Sequence, residues 1–169
     1  MKSKSMELHK KLSPKEVNCG VITLSDSKYN DSSNDTSGNY ISSKLKEKYN
    51  VISKEIIPDE KDILLETIEK MIENKVDVIF TSGGTGIESR DITIETIESI
   101  LEKKLEGFGE IFRLKSYEEL GAGALLSRAT AGIYKSSIII SMPGSPNAVK
   151  TGLKIVIDEL NHLVNHVKR

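Results

Sequence analysis

Apolar residues arrive in short runs, separated by stretches with helical periodicity. VNCGVITLSD (17–26) is β-branched and continuously apolar as far as Leu24, the pattern of a strand buried on both faces. The polar tract SDSKYNDSSNDTSGN (25–39) has no period and is read as a loop. A helix is predicted from about Thr36–Gly38, carrying Ile41 and Leu45 and ending before Asn50. VISKEIIP (51–58) alternates at first, which suits a strand nearer an edge, and Pro58 closes it. In DEKDILLETIEKMIENK (59–75), Ile63, Leu64, Ile68, Met71 and Ile72 recur at helical spacing. VDVIF (76–80) is a third strand.

The second half repeats the alternation. Thr93 is placed as an N-cap, with Glu95 in the first turn and Ile97, Ile100 and Leu101 on the apolar face. Further helices are predicted over GFGEIFRLKSYEEL (107–120) and, more briefly, around ALLSRATAG (124–132). SSIIISM (136–142) is a buried strand, PGS a turn, and Ser145–Pro146 a cap followed by a first helical residue. One last helix then carries Val149, Leu153, Val156, Ile157, Leu160 and Val164 on one face. Strands alternating with helices predict an α/β sandwich around a mostly parallel sheet. Residues 1–14 are read as a charged, flexible tail and 15–169 as a single domain.

Composition narrows the function. With 24 basic and 25 acidic residues the formal charge is −1, so no basic footprint for nucleic acid is present. No apolar run is long enough to span a membrane and the first residues have no apolar centre, so a cytoplasmic protein is expected. Cys19 stands alone, which excludes an intrachain disulfide and predicts a small buried residue in the first strand.

In sheets of this kind ligands bind beyond the carboxyl ends of the strands. Three loops there are specialised: LSDS (24–27), TSGGTG (81–86) and MPGSPN (142–147). The glycines allow two readings, a tight turn or a hollow of backbone N–H groups for a phosphate, with Thr81, Ser82 and Thr85 adding hydroxyls. The segment is neither a Walker loop nor a dinucleotide fingerprint. Asp91 is not needed as a cap and reads as a carboxylate that brings Mg2+ to a phosphate, unless Arg90 pairs with it at the surface. Asp59, by contrast, reads from its neighbours as an N-cap, with Asp62 completing a capping box. PGSPN either holds part of a ligand or turns the chain, GFGE is a helix start or a lid edge, and Ser127–Arg128 mark a site or a subunit boundary. Asp158, His162 and His166 have a zinc-like spacing but lie on a helix end, where histidines serve the dipole.

Taken together, LSDS, IPDE (57–60), TSGGTGIESRDIT (81–93), EGFGE (106–110), LSRATAGI (126–133) and MPGSPNAV (142–149) resemble the molybdenum cofactor biosynthesis family of MoaB, Mog and the gephyrin G domain. The resemblance covers residues 17–160. It implies a three-layer α/β/α sandwich, homotrimers or homohexamers, and adenylylation of molybdopterin by MgATP, alongside other enzymes of the molybdenum (or tungsten) cofactor pathway. By position it makes Asp59 and Asp91 the catalytic and Mg2+-binding pair. It also implies that Gly83, Gly84, Thr85 and Gly86 hold the pterin phosphate. Ser25, Asp26, Thr81, Ser82, Ser127, Pro143, Gly144 and Ser145 complete the expected substrate and nucleotide contacts. Ile94 and Glu106 stand where the family often has proline. A non-catalytic carrier of molybdopterin is the alternative.

Overall fold

A computed structural model describes residues 16–31 and 35–168; the tail read over 1–14 lies outside them. Six strands, β1 (Asn18–Leu24), β2 (Asn50–Ile57), β3 (Val78–Ser82), β4 (Lys103–Lys104), β5 (Thr130–Tyr134) and β6 (Ser137–Met142), form one sheet. Their order is β2-β1-β3-β6-β5-β4. Neighbours from β2 to β6 are parallel, and β5 runs antiparallel to β6 and β4.

Helices cover both faces, as the α/β/α expectation requires. They are α1 (Asp26–Asn30), α2 (Thr36–Lys46), α3 (Lys61–Glu73), α4 (Thr93–Ile100), α5 (Glu106–Leu120), α6 (Pro146–Val156) and α7 (Leu160–Val167). Alternate residues of the buried strands supply two cores. Cys19, Val21, Val78, Phe80, Ile138 and Ile140 pack with residues of α2, α5, α6 and α7. Ile22, Leu24, Ile79 and Ile139 pack with Leu64, Ile68 and Met71 of α3 and Ile97 of α4. The continuous apolar runs thus belong to strands covered on both sides.

The chain leaves β1 for the edge strand β2, then crosses back over β1 to β3 and proceeds toward the opposite edge. Right-handed crossovers put α2 and α3 on opposite faces, because the direction of travel reverses between them. The crevice between the carboxyl ends of β1 and β3 is therefore the switch point where such sheets hold ligands.

Four local expectations are corrected. The tract after Leu24 contains a short helix, α1, capped by Ser25, whose side chain accepts from Lys28 N. The short helix expected around 124–132 is a 3-10 turn over Gly121–Leu126 followed by β5. The third strand lies two residues later than predicted; just before it, the Asp77 side chain accepts from Asn18 N at 2.9 Å and pairs with Lys168 at 2.6 Å. The last helix is broken at Ile157–Glu159, where the Tyr49 hydroxyl takes the Ile157 carbonyl at 2.5 Å.

Candidate active site

The glycine loop leaves β3 with two residues in the left-handed region, Gly83 at φ 99° and Gly84 at φ 60°. A Cβ on Gly83 would lie 2.2 Å from the Leu24 carbonyl, so the loop presses against the end of β1. Gly83 N donates to Met142 O at 3.1 Å, and a Cβ on Gly144 would meet Gly83 Cα at 3.2 Å. The PGSPN turn after β6 is thereby stacked on the glycine loop. Ser37, in the first turn of α2, holds that turn through Gly144 O at 2.6 Å. Ser145 caps α6 by accepting from Ala148 N, with Pro146 first in the helix.

Two corrections concern caps. Asp59 is not the cap of α3: Glu60 occupies that position and makes no side-chain cap bond. Thr93 is the first residue of α4, and its hydroxyl donates instead to Gly83 O at 2.9 Å while its N–H donates to Gly84 O at 2.9 Å. Thr93 thus anchors the loop to the following helix.

Both aspartates reach the glycines. A Cβ on Gly84 would lie 2.7 Å from Asp59 Oδ1, and one on Gly86 would lie 2.5 Å from Asp91 Oδ2. Asp91 is seated by Glu88 N, which donates to Oδ2 at 2.9 Å. Asp59 and Asp26 exchange bonds: Asp26 N donates to Asp59 Oδ2, and Asp59 N to Asp26 Oδ1, each at 3.1 Å. Burial pushes the Asp59 carboxyl above the usual carboxylate value, and Asp26 and Asp91 add to this against the Asp26 amide and Arg90. Asp26 is held below its usual value by the Asp59 amide and then by Arg90. Arg90 does not pair with Asp91; it pairs with Asp26 at 2.7 Å and Glu60 at 2.9 Å.

Asp59 Oδ1 is buried and has no hydrogen-bond partner. An orphaned carboxylate oxygen beside a second carboxylate suits Mg2+, which favours hard oxygen donors and retains water and phosphate ligands. No group of three or more His, Cys, Asp or Glu that could hold a metal exists among the described residues. The carboxylates that lie against the glycine loop are those of Asp59 and Asp91. His162 and His166 do not build a rival centre; their Nε2 atoms lie 3.0 Å apart and His162 faces Glu159.

Other predicted contacts divide. Thr81 is buried in β3, its hydroxyl spent on Ser141 at 2.8 Å, so it does not reach the loop surface. Ser82 is equally buried, with a hydroxyl lacking any partner, beneath the loop. Thr85 is buried, whereas Gly86 is partly open. Ser127, Pro143 and Ser145 line a cavity of about 470 Å³ between the 3-10 turn, α5 and the start of α6. Another cavity of about 410 Å³, lined by Asn18, Asp77, Lys135 and Lys168, lies at the amino ends of β1 and β3, away from these groups.

One supporting residue escaped prediction as such. Arg128 donates through Nε to Thr85 O at 2.9 Å and through Nη2 to Gly86 O at 2.6 Å, and pairs with Glu95. It clamps the loop from 42 residues downstream. The only sequence signal was a charged residue interrupting an apolar stretch.

Residues 20–162 match the family model described as a probable molybdopterin binding domain. The chain belongs to this family. Among the family's members it is 44% identical to the molybdopterin adenylyltransferase of Pyrococcus furiosus, over 96% of this chain and 98% of that protein. It is 41% identical to molybdenum cofactor biosynthesis protein B of Bacillus subtilis, over 98% of each. The solved structure of the tungsten cofactor synthesizing protein MoaB from Pyrococcus furiosus superposes with a TM-score of 0.88 at 43% identity, covering 93% of this chain and 100% of that one. The Mog protein of Mycobacterium ulcerans gives 0.82 at 26% identity, covering 89% and 99%. No helix among the described residues is long and apolar enough to cross a membrane.

Proposed function

We propose that the chain is a molybdopterin adenylyltransferase. A terminal phosphate oxygen of the pterin attacks the α-phosphorus of ATP; the new P–O bond forms as the bond to pyrophosphate breaks, and pyrophosphate leaves. The observation carrying this reading is that Asp59, just after β2, and Asp91, in the loop after β3, lie against Gly84 and Gly86 of one glycine loop. Phosphoryl-type transfer depends chiefly on positioning and charge neutralisation, and this arrangement supplies both kinds of group.

The amides of Gly84, Thr85 and Gly86 are assigned to the pterin phosphate, since the Gly83 amide is committed to Met142. Asp59 and Asp91 would hold Mg2+, which when bound neutralises phosphate charge and polarises the α-phosphorus. Asp59 contributes an orphaned oxygen beside Gly84, and Asp91 is fixed by the Glu88 amide. Ser127, Pro143 and Ser145 are assigned to the body of the substrates through the neighbouring cavity, and Gly144 to the close approach of that turn to the glycine loop. A cytoplasmic location accompanies this reading, since ATP is abundant there. Self-association into a trimer or hexamer is supported by the exposed Ile111, Leu114, Tyr117, Leu120, Leu125 and Leu126 along α5 and the 3-10 turn.

Incubation with molybdopterin and MgATP, with pyrophosphate and adenylylated pterin measured, tests the reading. Formation of both products is expected. Binding of the pterin with neither product formed would leave the chain as a carrier.

A further inference from the structure

Four carboxylates gather around the glycine loop, Asp26, Glu60, Asp59 and Asp91, and only two of them are needed to hold a cation. Arg90 separates them. Its Nη2 donates to Asp26 Oδ1 at 2.9 Å and Oδ2 at 2.7 Å, its Nε to Asp26 Oδ2 at 3.1 Å, and its Nη1 to Glu60 Oε1 at 2.9 Å. One planar fork thus ties the loops that follow β1, β2 and β3. Lysine could not reproduce this, because a single ammonium cannot present parallel donors to one carboxylate and a further donor to another.

Both neighbours of this strut are site residues. Arg90 immediately precedes Asp91, and both lie in one tight turn, since Asp91 N donates to Glu88 O at 3.0 Å. Glu60 immediately follows Asp59, while the carboxylates of Asp26 and Asp59 each accept from the other's backbone N–H. We infer that Arg90 is a positioning residue that claims Asp26 and Glu60, so that Asp59 and Asp91 alone present carboxylate oxygens to the glycine loop. Its contribution to stability is minor, because the Arg90 and Asp26 side chains are 54% and 49% exposed and such pairs are worth little. Its work is geometric and electrostatic: without it Asp26 is held by the Asp59 amide alone and its second oxygen is freed to compete for a cation, and one positive charge is lost.

This inference rests on the adenylyltransferase reading for its effect on turnover, but its binding readout does not. Mn2+ titrated into the substrate-free protein and followed by electron paramagnetic resonance reports the affinity of the carboxylate pair directly. Arg90→Gln is expected to bind Mn2+ roughly three- to tenfold more tightly, from the lost positive charge and the freed carboxylate. Its kcat should fall at least tenfold while KM for the pterin stays within twofold, since the glycine cradle is untouched. Arg90→Lys keeps the charge but not the fork: Mn2+ affinity should stay within twofold of wild type while kcat recovers only in part. A merely structural role would weaken Mn2+ binding and turnover together. Unchanged or weaker Mn2+ binding in Arg90→Gln, or wild-type turnover in either variant, overturns the inference. If Arg90→Gln does not fold, Arg90→Lys decides alone: reduced kcat at wild-type Mn2+ affinity supports the strut, and wild-type kcat removes it. Should wild type prove inactive, the Mn2+ comparison still stands.

Discussion

The Gly86→Ala substitution tests the seat of Asp91 without touching its carboxylate. Gly86 does not adopt a positive φ, so alanine brings no left-handed penalty there. The added methyl would lie 2.5 Å from Asp91 Oδ2, 3.1 Å from Cγ and 3.3 Å from Oδ1. That is about 0.9 Å short of the 3.4 Å at which ordinary contact begins, so the carboxylate must retreat by roughly that distance. Retreat breaks the bond from Glu88 N, a loss of about 1 kcal/mol in stability. The catalytic effect is larger, because a misplacement of about 1 Å can cost ~10²-fold in rate, equivalent to about 2.7 kcal/mol of barrier. Urea unfolding measures the stability loss, and adenylyl-pterin formation under saturating MgATP measures the loss in rate. A folded variant with kcat within threefold of wild type would refute the placement of Asp91 at the reacting phosphates. A stability loss above about 3 kcal/mol would instead make Gly86 a structural position.

Three other outcomes follow from the geometry. Gly83→Ala combines φ 99° with a Cβ 2.2 Å from the Leu24 carbonyl, backbone that cannot step aside, so it should cost about 3 kcal/mol or more in denaturant unfolding. Thr81→Val removes a hydroxyl buried against Ser141 and should cost about 1–2 kcal/mol while leaving kcat within twofold; a large loss of turnover would return Thr81 to the site. Burial raises the Asp59 carboxyl above 3.8, so the folded chain holds more protons than the unfolded one and stability falls as pH rises through that window. Asp59→Asn should therefore melt above wild type at pH 7 without metal, lose activity, and show no such advantage below pH 3.8; equal melting at pH 7 counts against the buried, unpaired carboxylate.

Most of the sheet could be read from the chain because burial on both faces writes itself as unbroken β-branched runs, as in β1 and β6. The edge position of β2 was equally legible in its alternation, since one side of an edge strand meets solvent. β5 was missed for a physical reason. TAGIY is short and small, and Gly132 is required by β4, whose Lys103 carbonyl would lie 2.4 Å from a Cβ there. That requirement comes from tertiary packing, which no local window contains. The break before α7 was hidden likewise, because Val149, Leu153, Val156, Leu160 and Val164 keep helical spacing straight through it, while Tyr49, whose hydroxyl bonds Ile157 O at the break, is distant in sequence.

The site was less legible than the fold, and Asp59 shows why. Read among its neighbours it has the composition of a cap, and nothing in IPDE separates that role from another. What separates them is the register of β2 on β1, which pairs Ile57 with Leu24 and sets Ser25 N 3.0 Å from Ile57 O. With the strand ends level, Asp59 faces Asp26 and Gly84, and the cap position passes to Glu60. The same alignment puts an acidic residue from each of three strand ends into one crevice, a repulsive arrangement unless charge is supplied. Arg90 supplies it to Asp26 and Glu60, while burial leaves Asp59 Oδ1 unpaired. On the proposed reading this unpartnered oxygen is the one left for a cation, whereas a capping role would have given it a backbone amide.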